Sequence, residues 1–293
     1  VRLILQYDAL SRRTTMVDSG GTTTSTYSAR SELTGQIQAG GYRLTMQYDA
    51  VGNRTLLVDP DGGYTTTSYD ALNRVSTVTD PENNVTTFQY DAASRRIHLS
   101  DPYENSRTYV YDAAGQLIVQ TDTNGLNQLI VAVTDTYDPV GNRTFRHQQG
   151  AGIFMPTTWM YDTSNQLLVQ QLGGAWATYS YDPVGNMLVN NSVGVPPITS
   201  TYDAANRLVS IIQGSGPTTY SSDANGNLTG ENYLGALITY TYDNENRLTG
   251  VQFSNGTRST YTFNGDGLRR TVFEAGGSLM TNIWDGTDYL GQY

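Results

Sequence analysis

The chain has 293 residues, 38% of them hydrophobic and 15% charged, with a net charge of −10. The apolar share falls below the roughly 45–50% of ordinary globular domains, yet charge is too sparse for charge-driven disorder. The acidic balance excludes a protein that holds nucleic acid through clustered cations. All 17 basic residues are Arg, and Cys is absent, which excludes disulfides and thiolate chemistry. No run reaches the roughly 18 apolar residues of a membrane-spanning helix, and the first residues do not read as a signal peptide. Thr, Ser, Asn, Gln, Gly and 22 Tyr fill the composition instead, a palette of strands and tight turns.

In chain order, the run Val1-Arg2-Leu3-Ile4-Leu5-Gln6 reads as a strand leading into a Tyr-Asp pair, and that pair then recurs. It stands at Tyr7-Asp8, Tyr48-Asp49, Tyr69-Asp70, Tyr90-Asp91, Tyr111-Asp112, Tyr137-Asp138, Tyr161-Asp162, Tyr181-Asp182, Tyr202-Asp203 and Tyr242-Asp243. Degenerate copies fall at Tyr27-Ser28, Ser222-Asp223, Phe263-Asn264 and Trp284-Asp285. Successive copies lie 20 or 21 residues apart, except for 26 from Tyr111 to Tyr137 and 24 from Tyr137 to Tyr161. A fixed period of this length marks a repeat array. The extra residues, around 126–157, are expected as longer loops on one face.

The unit from Tyr69 to Tyr90 shows the order within a repeat. Tyr69-Asp70-Ala71-Leu72-Asn73 is a turn and Arg74–Thr79 a strand; Asp80-Pro81-Glu82-Asn83-Asn84 is a second turn and Val85–Tyr90 the returning strand. Pro presets an early turn position and Gly or Asn supplies the left-handed one, as again in Asp59-Pro60-Asp61-Gly62-Gly63. Four residues after the first residue of each copy from Tyr7 to Phe263, only Gly, Asn or Ser occurs: Ser11, Ser31, Gly52, Asn73, Ser94, Gly115, Gly141, Asn165, Gly185, Asn206, Gly226, Asn246 and Gly267. That restriction fits a left-handed turn residue. The Asp beside each Tyr is assigned an Asx-turn, its carboxylate accepting the next backbone N–H groups. Successive Tyr rings are expected to stack across neighbouring hairpins into a core of phenol rings, with Tyr69, Tyr90 and Tyr111 largely buried on one face.

These observations predict an all-β fold of tandem antiparallel β-hairpins of about 21 residues, a single array over 1–293. Both ends fall inside the pattern, so the chain is read as a piece of a longer protein. An open array leaves its end strands unpaired, which places Val1–Gln6 and Ile283–Tyr293 at two edges able to pair with another copy.

The motifs YDALNRV, YDAVGNRT, YDPVGNRT, YDAANRLV and YDNENRLT resemble the YD repeats of the rearrangement-hotspot (Rhs) and teneurin-like family, and the resemblance runs over nearly the whole chain. It implies a β-sheet that spirals into a hollow shell, which in toxin complexes encloses a toxic C-terminal polypeptide and in teneurins serves at the cell surface. It implies no catalytic residue here, because the family's C-terminal self-cleavage segment has no counterpart; Asp285-Gly286-Thr287-Asp288 reads only as the turn of a last repeat.

Other chemistry is weakly signalled. The Asp series recurs in every hairpin, whereas a catalytic carboxylate pair is singular. Asp59-Pro60-Asp61-Gly62-Gly63 lacks the spacing and terminal Glu of a calcium loop. His98 and His147 stand far apart without a ligand cluster and read as solvated positions. Trp159, Trp176 and Trp284 read as core or ladder aromatics, with a sugar-stacking platform as the sharper alternative. Sequons at Asn53, Asn84, Asn142, Asn190, Asn227 and Asn255 coincide largely with repeat turns. The expectation is a non-enzymatic structural β-scaffold of a secreted or cell-surface bacterial protein, as a shell or an extracellular fibre, without cofactor or metal. The alternatives are a cocoon segment around a toxin, and a carbohydrate-binding or adhesion module. Its expected partners are further repeats of the same chain or other copies, with an encapsulated polypeptide or surface glycans as the remaining candidates.

Overall fold

A computed structural model describes residues 3–150 and 153–293. Among them stand 28 β-strands and no helix. Among the described residues no helix is long and apolar enough to cross a membrane. Val1 and Arg2 of the expected opening strand lie outside the described residues, and the strand runs Ile4–Tyr7.

The strands form two compact units, Val1–Phe88 with Thr241–Tyr293, and Gln89–Tyr240. In the first, the strands Ile4–Tyr7, Arg13–Asp18, Gly21–Tyr27, Leu33–Ile37, Arg43–Tyr48, Arg54–Val58, Tyr64–Tyr69 and Val75–Thr79 pair antiparallel in chain order. The C-terminal strands Leu248–Gln252, Arg258–Phe263, Arg269–Phe273, Leu279–Asp285 and Asp288–Gln292 do the same. The second unit repeats the scheme from Arg96–Ser100 to Ala236–Tyr242.

Turn chemistry dictates this meander. In the first repeat Asp8 N–H donates to Arg12 O and Ser11 N–H to Asp8 O, closing a five-residue turn. A β-bulge follows where Tyr7 pairs with Arg13. The residue at the turn position of Ser11 has positive φ in every copy from Tyr7 to Phe263, between 60° at Asn206 and 97° at Gly52. Only residues tolerant of the left-handed region can stand there without strain. The second turn of each repeat takes two forms. Some are five-residue turns such as the Asp-Pro turn Asp80–Asn84; others are two-residue turns such as Gly173-Gly174, with φ of 54° and 94°. That pair matches the type I′ hairpin, whose twist suits the flanking strands.

Two expectations are corrected. The extra residues around 126–157 lengthen strands rather than loops: Leu129–Tyr137 and Ile153–Tyr161 span nine residues and Arg143–Gly150 eight. Leu129-Ile130-Val131-Ala132-Val133 contains no turn former, so added length propagates the ladder. The tyrosines are not a buried phenol core either. Tyr69, Tyr90 and Tyr111 share their repeat position but are half-buried, and Tyr7 is 56% exposed. A single sheet leaves each ring one covered side unless another layer packs on it.

That second layer exists in part of the first unit. Met16, Leu44, Met46 and Leu57 are buried, and alternation and pairing place them on the face that bears Tyr7, Tyr27 and Tyr48. Leu44 and Ile283 are fully buried and pack with Met46 and Leu57 in one cluster. Ile283 was expected at an open edge and is instead core. In the second unit no apolar side chain among the described residues is buried to this degree.

Candidate functional site

Two layers of geometry matter: a bonding unit repeated along the array, and a seam where the last hairpins meet the first. In the repeated unit, Asp70 Oδ1 accepts the N–H groups of Leu72 and Arg74 at 2.8 and 3.0 Å, while Oδ2 accepts Arg74 Nε at 2.7 Å. Asp8, Asp91, Asp203 and Asp243 bind Arg12, Arg95, Arg207 and Arg247 in the same way. Where Asn replaces the Arg, its amide does so: Asn53 on Asp49, Asn142 on Asp138 and Asn186 on Asp182. Asp112 and Asp162 accept the N–H groups of Gln116 and Gln166. The Arg74 N–H, against the opposing push of partial desolvation, and then the Arg74 guanidinium hold Asp70 below the usual carboxylate range. Asp49 is lowered first by the Asn53 amide.

The unit also links repeats in both directions, which the sequence did not reveal. Tyr69 Oη donates back to Arg54 O at 2.9 Å, at the start of a strand in the preceding hairpin. Tyr27, Tyr48, Tyr111, Tyr137, Tyr161, Tyr181 and Tyr202 make the matching bond to Arg13, Leu33, Arg96, Leu117, Arg143, Leu167 and Met187, all at 2.8–3.0 Å. Forward, Arg12 lies 5.0 Å from the centroid of the next ring, Tyr27, and donates to Ser28 O at 2.8 Å. Arg95 and Arg247 lie over Tyr111 and Phe263 in the same manner. The expected phenol ladder is thus a chain of Arg–aromatic contacts and hydroxyl–carbonyl bonds. Tyr90 and Tyr242 hold the same repeat position and are half-buried.

The seam lies within the first unit. Arg270 forms an ion pair with Asp18, its Nη2 3.0 Å from Oδ2, and Asp18 also accepts the N–H groups of Gly20 and Gly265 at 2.9 Å. Burial pushes the Asp18 carboxyl up, but the hydrogen bonds from Arg270, Gly20 and Gly265 outweigh it and leave it below its ordinary value. Arg13 Nη2 reaches Asp266 at 2.6 Å, and Arg54 pairs with the buried Asp285. Gln38 donates to Trp284 O, and Tyr293 Oη donates to Asp61 Oδ2 at 2.7 Å. The Tyr42 and Tyr293 rings lie 5.2 Å apart. A Cβ on Gly20 would stand 1.8 Å from Arg270 Nη1, and one on Gly265 2.9 Å from Met16 Sδ. A side chain at either position would therefore require the Arg270, Leu3 or Met16 side chain to shift. A cavity of about 240 Å³ remains between the layers, bordered by Arg13, Tyr27, Gln36, Arg270, Asn282 and Trp284.

The other singled-out residues are accounted for locally. Asp59 Oδ1 is occupied by the N–H groups of Asp61 and Gly63, and no cluster of metal-ligating side chains occurs among the described residues. His98 and His147 are half-buried rather than solvated, and His98 Nδ1 is buried without a hydrogen-bond partner. Trp159 lies under Arg143, Trp176 is exposed, and Trp284 belongs to the seam, its Nε1 donating to Arg269 O at 2.8 Å. The amide nitrogens of Asn53, Asn84, Asn142 and Asn227 are committed to the turn carboxylates.

The family model described as RHS Repeat matches residues 69–106 and 223–258. No curated protein matches the sequence. Among solved structures, the crystal structure of TcdB2-TccC3-TEV is similar to this chain with a TM-score of 0.56 at 15% identity, over 98% of this chain and 21% of its own. The crystal structure of TcdB2-TccC3 without its hypervariable C-terminal region gives 0.54 at 15%, over 98% and 20%. A Photorhabdus luminescens Tc holotoxin pore carrying a TccC3 mutation gives 0.54 at 15%, over 96% and 21%. At such identities the likeness is one of fold. The chain spans about a fifth of the length of these structures' chains.

Proposed function

We propose that the chain, which carries RHS repeats at residues 69–106 and 223–258, is a structural β-scaffold of the RHS-repeat (YD-repeat) family and forms a wall segment of an extracellular shell. The observation that carries this reading is the seam. Residues 264–293 lie on the tyrosine-bearing face of the first hairpins, held by Asp18–Arg270, Arg13–Asp266, Arg54–Asp285 and the Ile283 cluster. An extended fibre needs only neighbour-to-neighbour pairing, whereas a container needs distant repeats to meet.

The proposed partners are further RHS repeats of the same chain and a polypeptide held inside, consistent with the toxin-complex proteins that share the fold. The repeated Asp and Tyr positions act as turn clamps and inter-repeat bolts, and no chemistry is assigned to them. Secretion or display outside the cell is proposed from the likeness to the toxin-complex structures. Negative-stain imaging of the longest natural chain that carries these repeats tests the reading. Compact hollow particles are expected; long threads with a regular axial repeat would replace the shell with a fibre.

A further inference from the structure

We propose that residues 264–293 form an acid-released latch on the tyrosine face of the first hairpins, opening while the hairpin array itself stays folded. The inference needs only the seam, not the identity of any cargo.

Two kinds of carboxylate exist in the first unit. Turn carboxylates such as Asp8 and Asp70 keep side-chain exposures of 24% and 28% and bond within their own five-residue turn. When protonated, such a group still accepts backbone N–H bonds, and its Arg partner can turn to water. At the seam, the Asp18 carboxylate differs. Asp18 and Arg270 are exposed by only 8% and 10%, on segments some 250 residues apart in sequence. Protonating Asp18 leaves the Arg270 charge unpaired in a site nearly closed to water, a far less tolerable state than a loosened surface pair. Separating the layers hydrates both groups, so acid favours the open form. Asp285 is itself exposed by only 7%, but its partner Arg54 is 37% exposed and can turn to water, so the effect rests on Asp18 and Arg270.

The groups facing the seam carboxylates set the pH range. Asp18 meets Arg270 and the N–H groups of Gly20 and Gly265. Asp266 meets Arg13, which has Tyr7 and Tyr27 beside it. Asp285 meets Arg54, with Tyr48 and Glu32 nearby, and Asp61 meets Tyr293, with Asp59 nearby. All are arginines, tyrosines or carboxylates. Both histidines belong to the other unit. Release therefore falls in the carboxylate range, below about pH 5, rather than near the histidine value of about 6.5. Against it stands mainly one small apolar cluster, Ile283 with Leu44, Met46 and Leu57.

Methionine oxidation reads the latch directly. Met16 and Met46 lie beneath residues 264–293 and are 2% and 3% exposed, whereas Met160 is 58% exposed and serves as the internal reference. Hydrogen peroxide is applied across pH 3–7 and sulfoxide at each site is quantified by mass spectrometry, with circular dichroism reporting the sheet. At pH 7 Met16 and Met46 are expected to oxidise at least about ten-fold more slowly than Met160; as pH falls they should come within about three-fold of it while the β signal persists. Asp18→Asn should deprotect Met16 at pH 7, whereas the turn variant Asp203→Asn should not. The double variant Asp18→Leu/Arg270→Met should restore protection and flatten its pH dependence. Loss of protection only together with the β signal would overturn the proposal in the unmodified chain, whether or not any variant folds. Continued protection of Met16 in a folded Asp18→Asn protein would overturn it independently.

Discussion

Ile283 occupies the position before the repeat aromatic, which is exposed as Ser68, Thr136, Ser180 and Thr201 elsewhere in the array. Here it is fully buried among Leu44, Met46 and Leu57. Truncating Ile283→Ala removes the equivalent of three buried CH₂ groups, about 2.4 kcal/mol at roughly 0.8 kcal/mol each. Leu44, Met46 and Leu57 come from two paired strands, Arg43–Tyr48 and Arg54–Val58, whose backbones are fixed by their ladder. The void therefore collapses only partly, and the loss should reach about 3–5 kcal/mol. Urea unfolding followed by Trp284 fluorescence, in a Trp159→Phe/Trp176→Phe background, measures the layer in which the change is made. Ser180→Ala, at the same repeat position but exposed, should change stability by less than about 0.5 kcal/mol. A loss below about 1 kcal/mol for Ile283→Ala would refute the claim that the last hairpins are packed onto the first.

Three further outcomes follow from the repeat geometry. Tyr69→Phe keeps the half-buried ring but removes the bond to Arg54 O, and should cost about 0.5–1.5 kcal/mol in equilibrium unfolding, whereas the exposed Tyr7→Phe should be near neutral. Leu234 holds φ of 49° in a turn before Gly235, a conformation that disfavours a side chain without local hydrogen bonding, so Leu234→Asn should raise stability by about 1 kcal/mol. The lowered carboxyls of Asp8, Asp49, Asp70, Asp203 and others give stability that is present above their unfolded value and lost as pH falls through the folded ones. Burial first, then the Asp61 hydrogen bond, pushes Tyr293 up to about 12, so its contribution is full below the unfolded phenol value near 10 and is lost as pH rises toward 12. Thermal melts across pH should therefore show a plateau from about pH 5 to 10 with declines on both sides; a melt temperature unchanged down to pH 3 would contradict the carboxylate assignment.

Local structure was legible because each repeat states its turn twice, in the aspartate and in the residue three positions after it. Ser11, Asn73 and Gly115 differ chemically yet all tolerate left-handed backbone, and that shared property appears in the sequence. The partner of the Tyr69 hydroxyl was not legible, because a backbone carbonyl belongs to every residue and marks none. The lengthened strands could have been read: Leu129–Val133 is rich in strand formers and holds no turn residue. The seam was beyond reach. Its partners are more than 220 residues apart, and its one local sign, Ile283 at a position usually polar, has apolar counterparts at Val110 and Met160 that are exposed.

The absence of native cysteine makes spin labels at Ser19 and Leu279 straightforward to place, and the distance between them tests the closure directly. The strands Arg13–Asp18 and Leu279–Asp285 are the second and the twenty-seventh in chain order. In a flat ribbon at about 4.8 Å per strand they would lie roughly 120 Å apart. With Asp18 bonded to Gly265 and Arg270, pulsed dipolar spectroscopy should return a narrow distribution below about 40 Å. A broad distribution, or none within the range of the method, would mean that the last hairpins do not close on the first.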